Sequence, residues 1–329
     1  MDVGVSTAVR AASSGRRRRV GIGIARVVGQ RVSTLLVVLI IVWSAVDLLP
    51  GNGVAAVLGR DATPEQIAAR EHALGLDRPL PVRFASWLGG LFSGDFGTTV
   101  RGTSINALLD TKFPNTLLLG GVALAVTAAV ALAGGAWWTL RPRGPVARVL
   151  GPATTMVIAI PEFVIATLLV FVFSLGTGWF PAVTQIDHAG RPAQWSMLVL
   201  PVLALAIPQS GWNIRVTRAA LAEAGALPHV RAAELDGLSA RRIMTHHVLP
   251  LAAPTIVASL VTSAGMLLGG ALMVETIFNY PGIGSVLASS VTDRDASVVV
   301  SVVAVTGAAI TLALLLADAL RAWAVRGRL

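Results

Sequence analysis

Residues 231–250 read Arg231-Ala232-Ala233-Glu234-Leu235-Asp236-Gly237-Leu238-Ser239-Ala240-Arg241-Arg242-Ile243-Met244-Thr245-His246-His247-Val248-Leu249-Pro250, a polar, helix-prone insert between two hydrophobic runs. Just upstream, Pro228 suits a first helical turn, because its fixed φ is pre-set and its missing N–H would have no partner there. His229 to Asp236 then has room for about two turns. Gly237 ends them, since glycine enters the left-handed region without a Cβ penalty. Ser239 is an N-cap for a second helix running to about Val248, and Leu249-Pro250 leads into the next apolar run. A greasy chain that keeps a helix–glycine–helix element in water presents it to a partner.

The rest of the chain is greasy. Of 329 residues, 54% are hydrophobic and only 13% charged, and the mean hydropathy is +0.74. Apolar runs that reach about 20 residues cross a bilayer core as helices. Six can be drawn, over 32–49, 116–138, 150–175, 196–214, 252–273 and 297–320, giving an all-α polytopic membrane protein. With both ends in the cytoplasm, the inner segments hold 18 of the 26 basic residues and the outer ones eight. Every short inner loop and both tails are basic, which is the positive-inside asymmetry. The charge of +9 is therefore topological, and no nucleic-acid partner is expected. Absence of cysteine excludes disulfides, thiolate metal sites and cysteine nucleophiles.

Arg16-Arg17-Arg18-Arg19 before an apolar run has the look of a secretory or twin-arginine signal, with Val54-Ala55-Ala56 as a cleavage site. The run after Arg31 is about 18 residues long and contains Trp43, which favours a retained first span. Gly21-Ile22-Gly23 has no preceding strand and no third glycine in place, so it is no dinucleotide fingerprint. Residues 1–20 are expected to be a disordered, membrane-facing tail. Between the first two spans, Thr63 is an N-cap with Pro64 at the first helical position. Asp77-Arg78-Pro79-Leu80-Pro81 reads as a turn, and Trp87 to Phe92 as an interfacial helix. A small α-helical extracytoplasmic segment is predicted there.

The ordered motifs now matter together. Leu49-Pro50-Gly51-Asn52, Thr63-Pro64-Glu65, Leu74-Gly75-Leu76-Asp77, Gly94-Asp95-Phe96-Gly97 and Pro114-Asn115-Thr116 precede Ile160-Pro161-Glu162-Phe163, Gly178-Trp179-Phe180-Pro181, Leu200-Pro201 and Arg215-Val216-Thr217-Arg218. The glycine-centred loop and Val274-Glu275-Thr276-Ile277-Phe278-Asn279-Tyr280-Pro281-Gly282-Ile283-Gly284 follow. This series, from about 28 to 325, resembles the dipeptide/oligopeptide/nickel permease family of ABC importers, and within it the first of two unlike permeases. The resemblance implies a type I ABC importer permease fold. It divides the chain into a basic cytoplasmic tail (1–31), TM1 (32–49), the extracytoplasmic helical segment (50–115), a TM2–TM6 core (116–321) with a coupling loop (219–250), and a cytoplasmic tail (322–329). It also implies a bacterial inner membrane location and alternating access. The implied partners are a second homologous permease, two cytoplasmic ATPase subunits (or one fused), an extracytoplasmic substrate-binding lipoprotein and membrane lipids. Peptides are the default cargo, with nickel, glutathione or another small solute as alternatives.

In that frame Arg231, Ala232, Ala233, Glu234, Asp236 and Gly237 are implied to couple to the ATPase. Arg231 sits where the subfamily is commonly basic, whereas Asp236 replaces an expected basic residue. Glu275, Phe278, Tyr280, Pro281 and Gly282 are implied to lie at the outer gate and the docked binding protein. Among acidic residues in or beside spans, Asp47 and Glu275 lie at outer ends and read as interfacial. Asp318 can pair with Arg321 at three-residue spacing. Glu162 is different. It lies 12 residues into the third span, about 18 Å deep at 1.5 Å per residue, and the family more often has a small polar residue there. Intramembrane charge defaults to a functional hypothesis; Glu162 either lines the pathway and meets a substrate amine or bonds a neighbouring helix.

There is no Gly-x4-Gly-Lys-Ser/Thr phosphate loop, so no ATP hydrolysis is expected from this chain. ATP and Mg belong on the partner subunits, and no cofactor or metal is assigned. His72, His188 and His246-His247 do not converge on a metal site in sequence. The rival class, a secondary transporter or channel without ATPases, would be favoured by internal repeats; none is found.

Overall fold

The computed structural model describes residues 3–48, 53–58, 62–188 and 190–326. The motif at 49–52, Arg60 and Arg328 lie outside the described residues. The helices are α1 (Val3–Asp47), α2 (Gly53–Leu58), α3 (Pro64–Leu74), α4 (Leu80–Ser93), α5 (Ile105–Leu140), α6 (Pro145–Ala159), α7 (Glu162–Leu169), α8 (Ser196–Gly225), α9 (Pro228–Leu235), α10 (Ala240–Ile243), α11 (Leu249–Ile277), α12 (Ile283–Thr292) and α13 (Ala296–Arg326). π-helical turns extend α7 over Val170–Gly176 and join α10 to α11 over Met244–Val248. Among the described residues there is no named strand, only the bridges Thr98–Ser104 and Ile186–Pro192.

Five helices are long and apolar enough to cross a membrane, and a bent pair, Pro145–Ala159 with Glu162–Gly176, makes a sixth. Three features differ from the expected ones beyond a few residues at helix ends. Helix α1 begins at Val3, in place of a disordered tail; residues 3–30 contain no proline, and their six arginines are good helix formers. Helix α5 begins at Ile105, so Phe113-Pro114-Asn115-Thr116 lies inside it; Ser104 caps the start by accepting from the Ala107 amide. The third span is not straight. It bends by 105° where Ile160 is extended before Pro161, the conformation that pre-proline sterics favour.

Helix α8 is the axis of the bundle, and α5, α6, α7 and α11 pack on it. The central core joins Leu119, Ile165, Leu200, Leu205, Leu267 and Ala271. Lipid is as apolar as these side chains, so close packing and polar bonds between helices hold such a bundle together. Asn213 of α8 supplies the latter: its Nδ2 donates to Ser263 Oγ (2.7 Å) and its Oδ1 accepts from Ser259 Oγ (2.9 Å), both on α11. Helix α13 lies on α11, and α1 on α13. The extracytoplasmic segment is helical as predicted. Thr63 and Gln66 form a capping box, Arg83 on α4 bonds Asp47 (2.8 Å), and the Trp87 indole donates to Ser301 on α13 (3.1 Å).

Candidate functional site

Two turns, at opposite ends of α11, carry most of the predicted site residues. At the inner end, α9 is welded to the bundle by one face. Val230 and Ala233 are buried against Ala220, Leu221 and Ala224 of α8, Ile243 of α10, Val248, and Ala252 and Ile256 of α11. The opposite face holds Arg231, Ala232, Glu234, Leu235 and Asp236, all exposed. Gly237 takes φ +75° with open space where a Cβ would stand, and the Leu238 amide reaches back to the Ala233 carbonyl (3.2 Å). This is a left-handed helix stop. Ser239 then accepts from the Arg242 amide. From Ala240 the chain runs helically to Ile277, so Leu249-Pro250 is not a break; proline at the first α-helical turn leaves no donor unpaired.

Two details were not read from sequence. Ala233 faces its own spans and is buried among them, so its side chain is not presented outward. Leu235 is 89% exposed, an apolar side chain held out in water between Glu234 and Asp236. The signal was in the spacing: Val230 and Ala233 form the buried three-residue step, and Leu235 falls off it.

At the outer end the arrangement inverts. Glu275, Phe278, Tyr280, Pro281 and Gly282 are all buried, which corrects the interfacial placement of Glu275; of the outer-gate and docking roles implied for these five, burial removes direct side-chain contact with a docked protein. They form a knot. Glu275 Oε2 accepts from the Gly284 amide (2.6 Å), while its Oε1 is buried without a hydrogen-bond partner among the described residues. Thr116 Oγ1 accepts from the Ile283 amide (3.0 Å). The Tyr280 hydroxyl donates to the Asn115 carbonyl (2.9 Å), and Asn115 Nδ2 donates to the carbonyls of Pro281 and Gly190 (both 2.9 Å). The Thr184 amide reaches the Phe278 carbonyl (2.9 Å). A Cβ on Gly282 would overlap the Glu275 carboxylate. The turn therefore ties α11 and α12 to α5 and to the loop before α8. Its exposed residues are Thr276, Ile277 and Asn279.

Glu162 stands between these ends, at the first turn of α7 just past the 105° break. It is half-buried. A Cβ on Gly270 of α11 would lie 3.2 Å from its Oε1 and 3.3 Å from Leu205 of α8. Its carboxylate has no hydrogen-bond or ionic partner among the described residues, so of the two sequence readings the bond to a neighbouring helix is not made within this chain. Asp318 pairs with Arg321 as predicted (3.7 Å) and also with Arg31 of α1 (3.3 Å). No group of three or more His, Asp or Glu side chains that could hold a metal occurs among the described residues.

Comparison with known proteins places this architecture. The solved structures that resemble it include a chain of the MetNI methionine ABC transporter in inward-facing conformations (TM-score 0.54, 18% identity, 65% of this chain and 95% of that one). Another is a chain of an amino acid ABC transporter solved with histidines (TM-score 0.51, 19% identity, 67% and 94%). These show a shared fold. Among sequences, the "Probable peptide ABC transporter permease protein y4tP" of Sinorhizobium fredii is 29% identical over 91% of this chain and 96% of its own length. A peptide transport system permease protein of Brucella abortus is 30% identical over 83% of this chain and 87% of its own length. The glutathione transport system permease protein GsiC of Salmonella choleraesuis is 32% identical over 82% and 86%. Family models match residues 22–116, as the N-terminal part of the binding-protein-dependent transport system membrane component, and residues 122–328, as the inner membrane component proper. The chain is an ABC importer permease, a multi-pass member of the family of binding-protein-dependent transport system inner membrane components.

Proposed function

We propose that this permease forms half of a peptide pathway, with α9 as the element through which ATPase subunits drive it. The observation that carries the reading is α9 itself, a short cytoplasmic helix buried along Val230 and Ala233 and offering Arg231, Ala232, Glu234, Leu235 and Asp236 to a partner. A push on that face reaches α8 and α11 through the cluster beneath it, and Asn213 with Ser259 and Ser263 keeps those two spans in register. Two cytoplasmic ATPases, or one fused, would bind ATP and Mg; a second homologous permease would supply the facing half of the pathway. A substrate-loaded lipoprotein would dock outside, on surfaces set by the buried knot at Glu275 to Gly284. Both termini lie in the cytoplasm, as the arginine asymmetry requires.

Peptides are the cargo supported by the relatives' names and by Glu162, whose unpaired carboxylate suits a peptide ammonium in a low-dielectric passage. The glutathione relative supports a second cargo of the same chemical kind, a small peptide with a free amine. The test is uptake into proteoliposomes holding the assembled importer, its binding protein outside and ATP within. Accumulation of labelled peptide that needs ATP, and that Gly237→Asp abolishes along with ATPase co-purification, is expected. A chain that purifies alone, folded, and transports without ATP would instead be a secondary transporter. Competition between unlabelled dipeptides and glutathione distinguishes the cargoes.

A further inference from the structure

At the cytoplasmic rim the bundle has a second feature, independent of the cargo and of the coupling helix. A cavity of about 660 Å³ opens between the last turn of α5, the second half of α6 and the second half of α8. Arg215 and Arg218 both line it. Arg215 donates to the Thr155 hydroxyl (2.7 Å), and the Arg218 guanidinium lies 4.1 Å from the ring centre of Trp138. Neither arginine has a carboxylate partner among the described residues, where the ion pairs all lie elsewhere. Two guanidinium groups one turn apart on α8 are thus held in place by neutral groups, with their charge left unanswered.

The surroundings say what answers it. Gly151, Ala219 and Ala222 give the cavity room, and Trp212, 50% exposed, forms its upper edge. One turn above Thr155, Ile158 is also exposed. Beside the cavity, Arg141 stacks on Trp137 at 4.8 Å, a second arginine–tryptophan pair at the same level. Tryptophans mark the membrane–water boundary, so the arginines sit at headgroup depth on the inner leaflet with apolar wall directly above. Guanidinium forks match phosphate oxygens in geometry, and basic pockets between spans on the cytoplasmic side bind anionic headgroups. We propose that this cavity holds the headgroup of an anionic phospholipid of the inner leaflet. Arg215 and Arg218 grip the phosphate, while the acyl chains run up past Trp212 and Ile158. A bound lipid would brace α6 against α8 just before α8 passes into the coupling helix, so that occupancy tunes the drive.

The experiment uses the assembled importer in nanodiscs of phosphatidylcholine with increasing fractions of phosphatidylglycerol. It reads phospholipid retained in native mass spectra and ATP turnover against lipid fraction. The wild type is expected to retain phosphatidylglycerol over phosphatidylcholine. Its half-saturating fraction should rise about fivefold for each arginine removed in Arg215→Gln and Arg218→Gln. Ala222→Phe, which fills the cavity and keeps both charges, should do the same; Arg143→Gln, in the α5–α6 loop outside the cavity, should not. Unchanged retention and lipid dependence in the double arginine variant would overturn the proposal. So would a raised KM for carboxylate-bearing peptides with lipid binding intact, which would assign the arginines to the pathway, or a cavity already closed by the second permease, seen as no phosphatidylglycerol retained by the wild-type complex.

Discussion

The two ends of α11 solve opposite problems with similar parts. Each is a helix-to-helix turn with a glycine at its centre and an acidic residue close by. At the outer end the acid, Glu275, is fully buried and its carboxylate binds the amide of Gly284 across the turn. At the inner end the acids, Glu234 and Asp236, are exposed and make no ion pair among the described residues. The outer turn spends its polar groups on its own chain, through Thr116, Asn115 and Tyr280. The inner turn is bonded only by a left-handed stop and an N-cap, and offers its side chains outward. A rod about 43 Å long at 1.5 Å per residue is therefore fixed hard at one end and open to grip at the other. That difference is what the proposed drive through α9 would need.

The comparison breaks most directly at Glu275. Replacing it by alanine leaves the Gly284 amide without its acceptor in a dry site. The expected loss is about 2–4 kcal/mol of the chain's stability, read as a lower thermal midpoint in detergent and poor membrane yield. An unchanged midpoint would mean that the outer turn is not a structural knot. Next comes a pair of substitutions two residues apart, on opposite faces of α9. Leu235→Asp should leave the chain's own stability within about 0.5 kcal/mol yet weaken ATPase retention by about 2 kcal/mol or more, as for an apolar anchor at an interface. Ala233→Asp should do the reverse, unfolding the cluster under α9. If both variants lost stability alike, α9 would have no free face and the inner turn would be another knot.

Gly237→Val tests the same turn through its backbone. A β-branched residue at φ +75° costs about 1–2 kcal/mol, a strain the turn relieves by unwinding the end of α9. Hydrogen exchange over residues 233–240 should speed up while exchange across Glu275 to Gly284 stays as it was. Equal protection in the variant and the wild type would show that the left-handed stop does not hold the helix.

How far these ends were legible follows from what each rests on. The inner turn is local: Pro228, Gly237 and Ser239 act within a few residues, and each took the place its chemistry assigns. The existence of six spans was equally readable, since length and hydropathy decide it. What escaped was everything set by a neighbour distant in sequence. Glu275 reads as an interfacial acid until Asn115 and Thr116, more than a hundred residues earlier, bind the turn that buries it. Glu162 reads as a mid-span residue until the break at Ile160-Pro161 turns the helix by 105°; a pre-proline residue licenses such a break without stating its angle. Leu235 reads as core by type, and only the packing of Val230 and Ala233 turns it outward.

The smallest effect concerns a second buried acid on the outer side, and it separates the knot from its surroundings. Asp295, just before α13, accepts from the amides of Val100 (2.6 Å) and Val298 (3.2 Å). It thereby pins the turn before α5 to the start of α13. Burial raises its pKa above the ordinary 3.8; the amide bonds oppose the shift, and nearby Asp293 adds to it. A folded-state pKa above the unfolded one means that folding takes up a proton over that interval. The group's contribution is complete below about pH 4 and declines as pH rises through the folded value, because the charged form is the one that burial penalises. The opposite slope belongs to exposed Glu65 and Asp77, whose pKa values hydrogen bonds lower. The clean quantity is thus the difference in thermal midpoint between wild type and Asp295→Asn. It should shrink as pH is raised from about 4 towards 7, since only the wild type acquires the buried charge. A difference that grows with pH would mean that the amides of Val100 and Val298 outweigh burial. Asp295 would then be a second anion-binding knot of the outer end, built on the same plan as Glu275.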